Sequence, residues 1–355
     1  MSEKVLMKGN DAIAEAAIRA GCGAYFGYPI TPQNEIPAYM AKNMLSRGRI
    51  FIQAESETAA VIMVYGAACA GVRAMTSSSS PGISLKQEGI SYAAGADVPM
   101  VVANINRGGP GLGNIAPAQS DYFQSTRGGG HGDYKCIVLA PKSVQECADL
   151  TYLAFDLADK YRLPVIIHTD GMIGQMMESC VLPPEKKVSK YEWSAGGCAD
   201  RPGREAVHIT SIELVPELLE AKTKERFLRY EKIKETEIRY EETDCRGAEL
   251  IMVAFGTSAR VCLGAQKLAK KEGIKLGTFR PVTLWPFPYK ALGAAAADNV
   301  PILTVEMSEG QLIEDVKLSA YYCGSKSQMH LLAHSGGVIP TEEEVFSKVK
   351  EILKK

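Results

Sequence analysis

RAMTSSSSPGISLKQEGISYAAGADVPMVVANI, residues 73–105, fixes the kind of sheet this chain builds. Residues 73–76 form a short strand-like run. Residues 85–94 recur at helical spacing, and residues 99–105 are an unbroken apolar run. Strand, helix and strand in that order, with both strands apolar throughout, is the pattern of a parallel sheet buried on both faces.

Outward from this unit the alternation continues in both directions. On the amino-terminal side a helix spans 10–20 and ends at Gly21, and a strand spans 24–28. Pro29-Ile-Thr-Pro32 then breaks into a helix through Met44, followed by a strand at 49–53 and a helix at 57–70. On the carboxyl side a strand at 136–139 leads to a helix capped by Ser143 and ending near Tyr161, then a strand at 165–168. The pattern predicts an α/β domain over residues 1–181, a mostly parallel sheet with helices on both faces. Residues 182–246 read as a linker: they carry Pro183-Pro184, Gly196-Gly197 and the charged run 222–242. Within that run Phe227, Tyr230, Ile233 and Ile238 have approximately helical spacing, as in either a solvated surface helix or a bridge to another domain or chain. Residues 247–355 read as a second, smaller α/β domain.

Composition narrows the function. The 355 residues are 46% hydrophobic and 23% charged, enough for two cored domains. Forty basic residues against forty-one acidic ones give a net charge of −1, which argues against a nucleic-acid-binding protein. No apolar run approaches the ~20 residues of a membrane span, and the N-terminus has no signal-peptide core. None of the nine cysteines forms a CxxC pair, so neither a zinc knuckle nor an iron–sulfur cluster spacing is present. Scattered free thiols in odd number fit a reducing, cytoplasmic setting.

Several motifs are absent: GxxxxGK[ST], HExxH and GxSxG. Gly111-Leu-Gly-Asn-Ile-Ala116 fits the loose dinucleotide pattern, but Pro110 and Pro117 flank it and no helix comes directly after. Thr169-Asp-Gly171 resembles half of a metal–diphosphate motif. No asparagine occurs between Ile115 and Asp298 to serve as its second ligand. Asp170 is therefore expected to be a strand-end or helix-capping residue, and the chain is expected to hold no metal by itself.

Ligands of open α/β sheets bind at the carboxyl ends of the strands. Those ends carry Tyr28-Pro-Ile-Thr-Pro32, Glu55-Ser-Glu57, the serine run 77–80, and Arg107-Gly-Gly-Pro110. Glu57 opens a strongly apolar helix, where desolvation would favour a protonated carboxyl able to donate a hydrogen bond. The alternative is a carboxylate stabilised only by the helix dipole. Arg107 can grip a carboxylate with two parallel hydrogen bonds or make a surface ion pair. Thr31 is either a ligand contact or a helix cap. The serine run can bind anions through backbone N–H groups or form a small-residue turn. His131, in a glycine-rich loop, stays open among general base, substrate contact and plain loop residue.

With YPITP (28–32), ESE (55–57), TSSSSPG (76–82), RGGP (107–110) and GGHGD (129–133), the chain resembles the α subunit of the 2-oxoacid:ferredoxin oxidoreductases. SLKQEGISY (84–92) and QSDYFQ (119–124) are similar to its 2-oxoisovalerate branch. FGTS (255–258) and RPVTLWP (280–286) resemble the family's transketolase-C-terminal-like domain. The resemblance implies oxidative decarboxylation of a branched-chain 2-oxoacid with coenzyme A, giving acyl-CoA, carbon dioxide and reduced ferredoxin. It implies thiamine diphosphate shared with a partner β subunit, which holds the diphosphate and Mg2+. A γ subunit and a ferredoxin-like δ subunit complete the assembly, and iron–sulfur clusters lie on partner chains. Glu57 is then expected on the aminopyrimidine ring, with Tyr28, Pro29 and Ile30 lining its pocket. Arg107 is expected on the substrate carboxylate and Thr31 on the substrate or its first adduct; His131 is kept as a candidate substrate contact. The chain departs from the family's pattern at His168-Thr169, before the Asp-Gly pair. The rival within the family is a 2-oxoglutarate enzyme. The rival outside catalysis is a scaffold subunit, which the joint presence of Thr31, Glu57 and Arg107 opposes.

Overall fold

The computed structural model describes residues 4–187, 191–195, 203–296 and 299–355; Gly196-Gly197 and Cys198 lie outside them. The first part of the chain runs β1 (Lys4–Lys8), α1 (Gly9–Arg19), β2 (Ala24–Gly27), α2 (Glu35–Met44), β3 (Ile50–Gln53), α3 (Glu57–Cys69), β4 (Ala74–Ser78) and α4 (Ser80–Gly95). It continues β5 (Met100–Asn106), α5 (Tyr122–Arg127), β6 (Ile137–Leu139), α6 (Val144–Tyr161), β7 (Pro164–Asp170), α7 (Gly171–Gln175) and β8 (Met177–Val181). After α8 (Pro216–Thr236) come β9 (Tyr240–Thr243), β10 (Leu250–Val253), α9 (Gly256–Lys271), β11 (Leu276–Pro281), β12 (Thr283–Trp285) and α10 (Tyr289–Ala295). The chain closes with β13 (Ile302–Glu306), α11 (Leu312–Cys323), β14 (Met329–Ala333) and α12 (Glu342–Leu353).

The larger sheet has the order β12-β6-β7-β5-β4-β2-β3. All its pairings are parallel except that of β12 with β6. Its central strands β5 and β7 are buried along their whole length, as expected for a sheet covered on both faces. β2 lies between β3 and β4, so the strand order reverses there and opens a crevice at the carboxyl edge. The second sheet has the order β14-β13-β10-β11-β9, with β9 antiparallel at the edge.

Some elements differ from the sequence expectation. The serine run is not a turn: Ser77 and Ser78 end β4, Ser79 stands at the N-cap position of α4 without a capping side-chain bond, and Ser80 opens the helix, so it starts five residues earlier than its apolar periodicity indicates. The charged run 222–242 is not one helix. It is helical to Thr236, then becomes edge strand β9, whose Glu241 pairs with Arg280. The helical part has a buried stripe of Arg226, Tyr230 and Ile233. Tyr230 packs edge-on against Trp285 of β12, and Arg226 donates to Gly95 O at the end of α4 at 2.9 Å, so α8 is held against the first sheet's layer. β1 and β8 form an antiparallel ribbon that the sequence pattern does not reveal, because a mostly exposed ribbon has no apolar run. β12 crosses from the second half of the chain into the first sheet.

No helix among the described residues is long and apolar enough to cross a membrane. Asp170 accepts from Met172 N and Ile173 N, capping α7, and from Thr257 N and Oγ1 at the start of α9. With both oxygens engaged, it staples the two sheets together instead of facing a ligand.

Candidate active site

The carboxyl edge of the first sheet is built strand by strand. Beyond β2 the arm Tyr28–Pro32 projects over the crevice, with Pro29 and Thr31 exposed and Tyr28 and Ile30 half-buried. Amide side chains hold it, those of Gln33 and Asn10 buried and that of Gln175 half-buried. Gln33 Nε2 donates to Tyr28 O at 3.2 Å, and Asn10 and Gln175 each donate to Pro32 O at 2.9 Å. The Ser77 hydroxyl, itself bonded to Tyr25 OH, donates to Gln33 Oε1. Thr31 does not cap α2, whose N-cap is Asn34; its hydroxyl accepts from Asn34 Nδ2 at 3.3 Å.

Beyond β3, Ser56 caps α3 by accepting from Ala59 N, and Glu57 occupies the first helical position, where it is buried. The Glu57 carboxyl makes no hydrogen bond with any described residue of this chain. It faces the first turn of α4: a Cβ added at Gly82 would lie 2.7 Å from Glu57 Oε1 and 2.1 Å from Ser78 Oγ. Only glycine at 82 lets helix and carboxyl approach so closely. The Ser78 and Ser79 hydroxyls are also buried, with no partner among the described residues.

Lys86, one helical turn further along α4, is fully buried. Its ammonium donates to Glu57 O at 3.2 Å. Burial pulls it down to about 8, and the charge of Glu57 offsets only part of that shift. Asp121 Oδ2 accepts from Asn104 Nδ2 at 2.9 Å, and burial raises this carboxyl above the usual range.

Beyond β5, Arg107 is buried and no described carboxylate ion-pairs with it. Its two terminal nitrogens each donate once, to Thr31 O at 2.9 Å and Leu112 O at 3.0 Å. Each keeps a second N–H free, while Nε is buried without a partner. A buried guanidinium neutralised only by carbonyl dipoles favours an anion beside it. The surface ion pair considered from sequence is therefore not what Arg107 makes.

Thr31, Glu57 and Arg107 thus come together on one edge, with Tyr28, Pro29 and Ile30 above them. His131 does not join them. It is exposed, and its carbonyl accepts from Ser91 Oγ at 2.6 Å, roughly 16 Å along α4 from Ser80 at 1.5 Å per residue. Gln33, Lys86 and the carbonyl of Leu112 also build the edge, and the sequence reading missed them. A lysine on the apolar face of residues 80–95 was the one available signal.

The arrangement agrees with what the chain is similar to. The family described as "Pyruvate flavodoxin/ferredoxin oxidoreductase, thiamine diP-bdg" matches residues 15–229, and "Pyruvate:ferredoxin oxidoreductase core domain II" matches residues 248–345. The chain belongs to this 2-oxoacid:ferredoxin oxidoreductase family. It is 46% identical over 347 residues to the ketoisovalerate oxidoreductase subunit VorB of Methanothermobacter thermautotrophicus, covering 98% of this chain and 97% of that one. To the 2-oxoglutarate synthase subunit KorA of the same organism it is 33% identical, covering 98% and 99%. Among solved structures it is similar to the 2-oxoglutarate:ferredoxin oxidoreductase from Magnetococcus marinus, with a TM-score of 0.87 and 26% identity. That match covers 99% of this chain and 65% of the other.

The family's thiamine-binding character fits this edge. A buried, unpartnered carboxyl and two bare serine hydroxyls, with glycine in place of a side chain at 82, suit one hydrogen-bonding edge of a flat pyrimidine ring.

Proposed function

We propose that this chain is the α subunit, the pyrimidine-binding half, of an oxidoreductase that decarboxylates a branched-chain 2-oxoacid, 2-oxoisovalerate by preference. Coenzyme A takes the acyl group and ferredoxin the electrons. The observation carrying this reading is the buried Arg107, without a counter-ion, on the same edge as the buried Glu57 carboxyl.

When bound, thiamine diphosphate supplies the nucleophilic carbon and the electron sink that decarboxylation requires. This chain's residues bind, orient and move protons around it. Glu57 holds or passes a proton at its carboxyl, opposite a ring nitrogen. The free N–H groups of Arg107 grip the substrate carboxylate and fix its orientation. The exposed Thr31 hydroxyl, next to that guanidinium, hydrogen-bonds the substrate. Tyr28, Pro29 and Ile30 line the ring side.

Mg2+ and the diphosphate belong to a partner β subunit, iron–sulfur clusters to partner chains including a ferredoxin-like δ subunit, and a γ subunit completes a cytoplasmic complex. The branched-chain reading over 2-oxoglutarate is supported by the higher identity to the ketoisovalerate relative. It is also supported by the apolar side chains, Leu112 and Ile115, that the loop after Arg107 exposes. Purified alone, the chain should show no thiamine-diphosphate-dependent decarboxylation, and adding the partner chains should restore it. Sustained turnover by the isolated chain would overturn the proposal.

A further inference from the structure

Gly111-Leu-Gly-Asn-Ile-Ala116, the glycine motif without a helix, forms the loop that aims Arg107. Leu112 supplies one of the two carbonyls that hold the guanidinium. That carbonyl sits in a turn between Gly111 and Gly113, both left-handed at φ +69 and +56. The turn closes on itself: Asn114 N donates to Gly108 O, Gly108 N to Ala116 O, and Ala116 N to Asn114 Oδ1, each at 2.9 Å. It tolerates no side chain at its crossing, since a Cβ on Gly113 would fall 1.7 Å from Gly108 O.

Leu112 and Ile115 are exposed, so no apolar packing of their side chains pins the loop. What fixes it comes from the second sheet. Asn114 Nδ2 donates to Gly336 O at 2.6 Å, in the loop after β14. Beside it, Gly337 lies so near that an added Cβ would come 2.4 Å from Ala116 Cβ, and one on Gly108 would come 3.0 Å from Gly336 C. The next residues, Gln119 and Tyr122, are bonded to Phe255 O and Asp315 of the same half of the chain.

We propose that Asn114 and Gly337 are positioning residues, through which the second half of the chain fixes the loop that sets the direction of the Arg107 guanidinium. This rests on the reading of Arg107 as the holder of the substrate carboxylate.

The test uses the assembled complex carrying Asn114→Ala or Gly337→Ala, with Arg107→Ala and Val338→Ser alongside. Two quantities are read: amide hydrogen exchange over residues 108–116, and the KM values for 2-oxoisovalerate and coenzyme A. Gly337→Ala removes no hydrogen bond of the turn itself; its Cβ, on a left-handed backbone at φ +95, pushes on the turn at Ala116 from the second half of the chain. Both positioning variants should speed exchange in the loop and raise the oxoacid KM roughly five- to tenfold, the loss of about one good hydrogen bond, with the coenzyme A value unchanged. Val338→Ser should do neither.

If Gly337→Ala behaves as wild type while Asn114→Ala does not, the turn suffices by itself and the brace is overturned. If exchange quickens and KM stays put while Arg107→Ala raises it, the brace exists and the positioning role is overturned. If Arg107→Ala also leaves KM unchanged, the reading of Arg107 has failed and the positioning claim fails with it.

Discussion

Two glycine-rich loops flank α4, and their fates are opposite. Residues 107–117 leave the carboxyl end of β5 and hold a buried guanidinium against the arm after β2. Residues 128–133 lead into β6, at the amino edge of the same sheet, where His131 is exposed and touches α4 only near its last turn. Composition does not separate them, since both are rich in glycine and both carry polar side chains of catalytic type. Strand polarity does: a loop leaving a parallel strand lies at the ligand edge, and a loop entering one lies at the opposite edge.

Substitutions at the two edges should have very different effects. The largest effect is expected at the carboxyl edge. Glu57→Gln keeps shape and burial but removes proton transfer, so turnover of the assembled complex should fall by about 10²- to 10⁴-fold. Size-exclusion chromatography should show assembly unchanged. Near-wild-type rates would remove Glu57 from its role and favour a scaffold subunit.

Lys86, behind that edge, gives a pH-dependent prediction. Burial lowers it from the ordinary 10.5 to about 8, so between those values the unfolded chain binds more protons than the folded one, and native stability rises with pH. Below pH 8 the whole cost of burying the ammonium is present. Lys86→Met should therefore raise stability at pH 7 by on the order of 1–2 kcal/mol, with the gain shrinking as pH climbs from 8 towards 10.5. Thermal melts across that range check it; a gain that grows with pH would contradict it. At the amino edge, His131→Ala should change kcat and the oxoacid KM by less than about twofold, as for a surface loop side chain. A tenfold loss would mean that a partner chain carries the reaction across to that edge.

Most of the larger sheet was legible in the sequence, because strands such as Val101-Val-Ala103 and Val165-Ile-Ile167 are apolar on both faces and the helices between them are amphipathic. The β1–β8 ribbon, β9 and β12 were not. β9, with Glu241 and Glu242, and the β1–β8 ribbon have one or both faces in solvent, and β12 is three residues placed by a partner strand far away in sequence. At the site, Thr31, Glu57 and Arg107 could be read because each comes after a recognisable strand. Gln33, Lys86 and Asn114 act by hydrogen bonds to backbone carbonyls, which no residue spacing encodes. The brace from Gly336-Gly337 joins positions more than two hundred residues apart and is visible only once the chain is folded.

The most direct measurement is the KM for 2-oxoisovalerate in the assembled complex with Arg107→Ala, set against the KM for coenzyme A in the same protein. Removing a bidentate charge contact should raise the oxoacid value by on the order of 10²-fold and leave the coenzyme A value nearly unchanged. Equal increases in both, or none in either, would contradict the assignment of the carboxyl edge as the place where the substrate carboxylate is held.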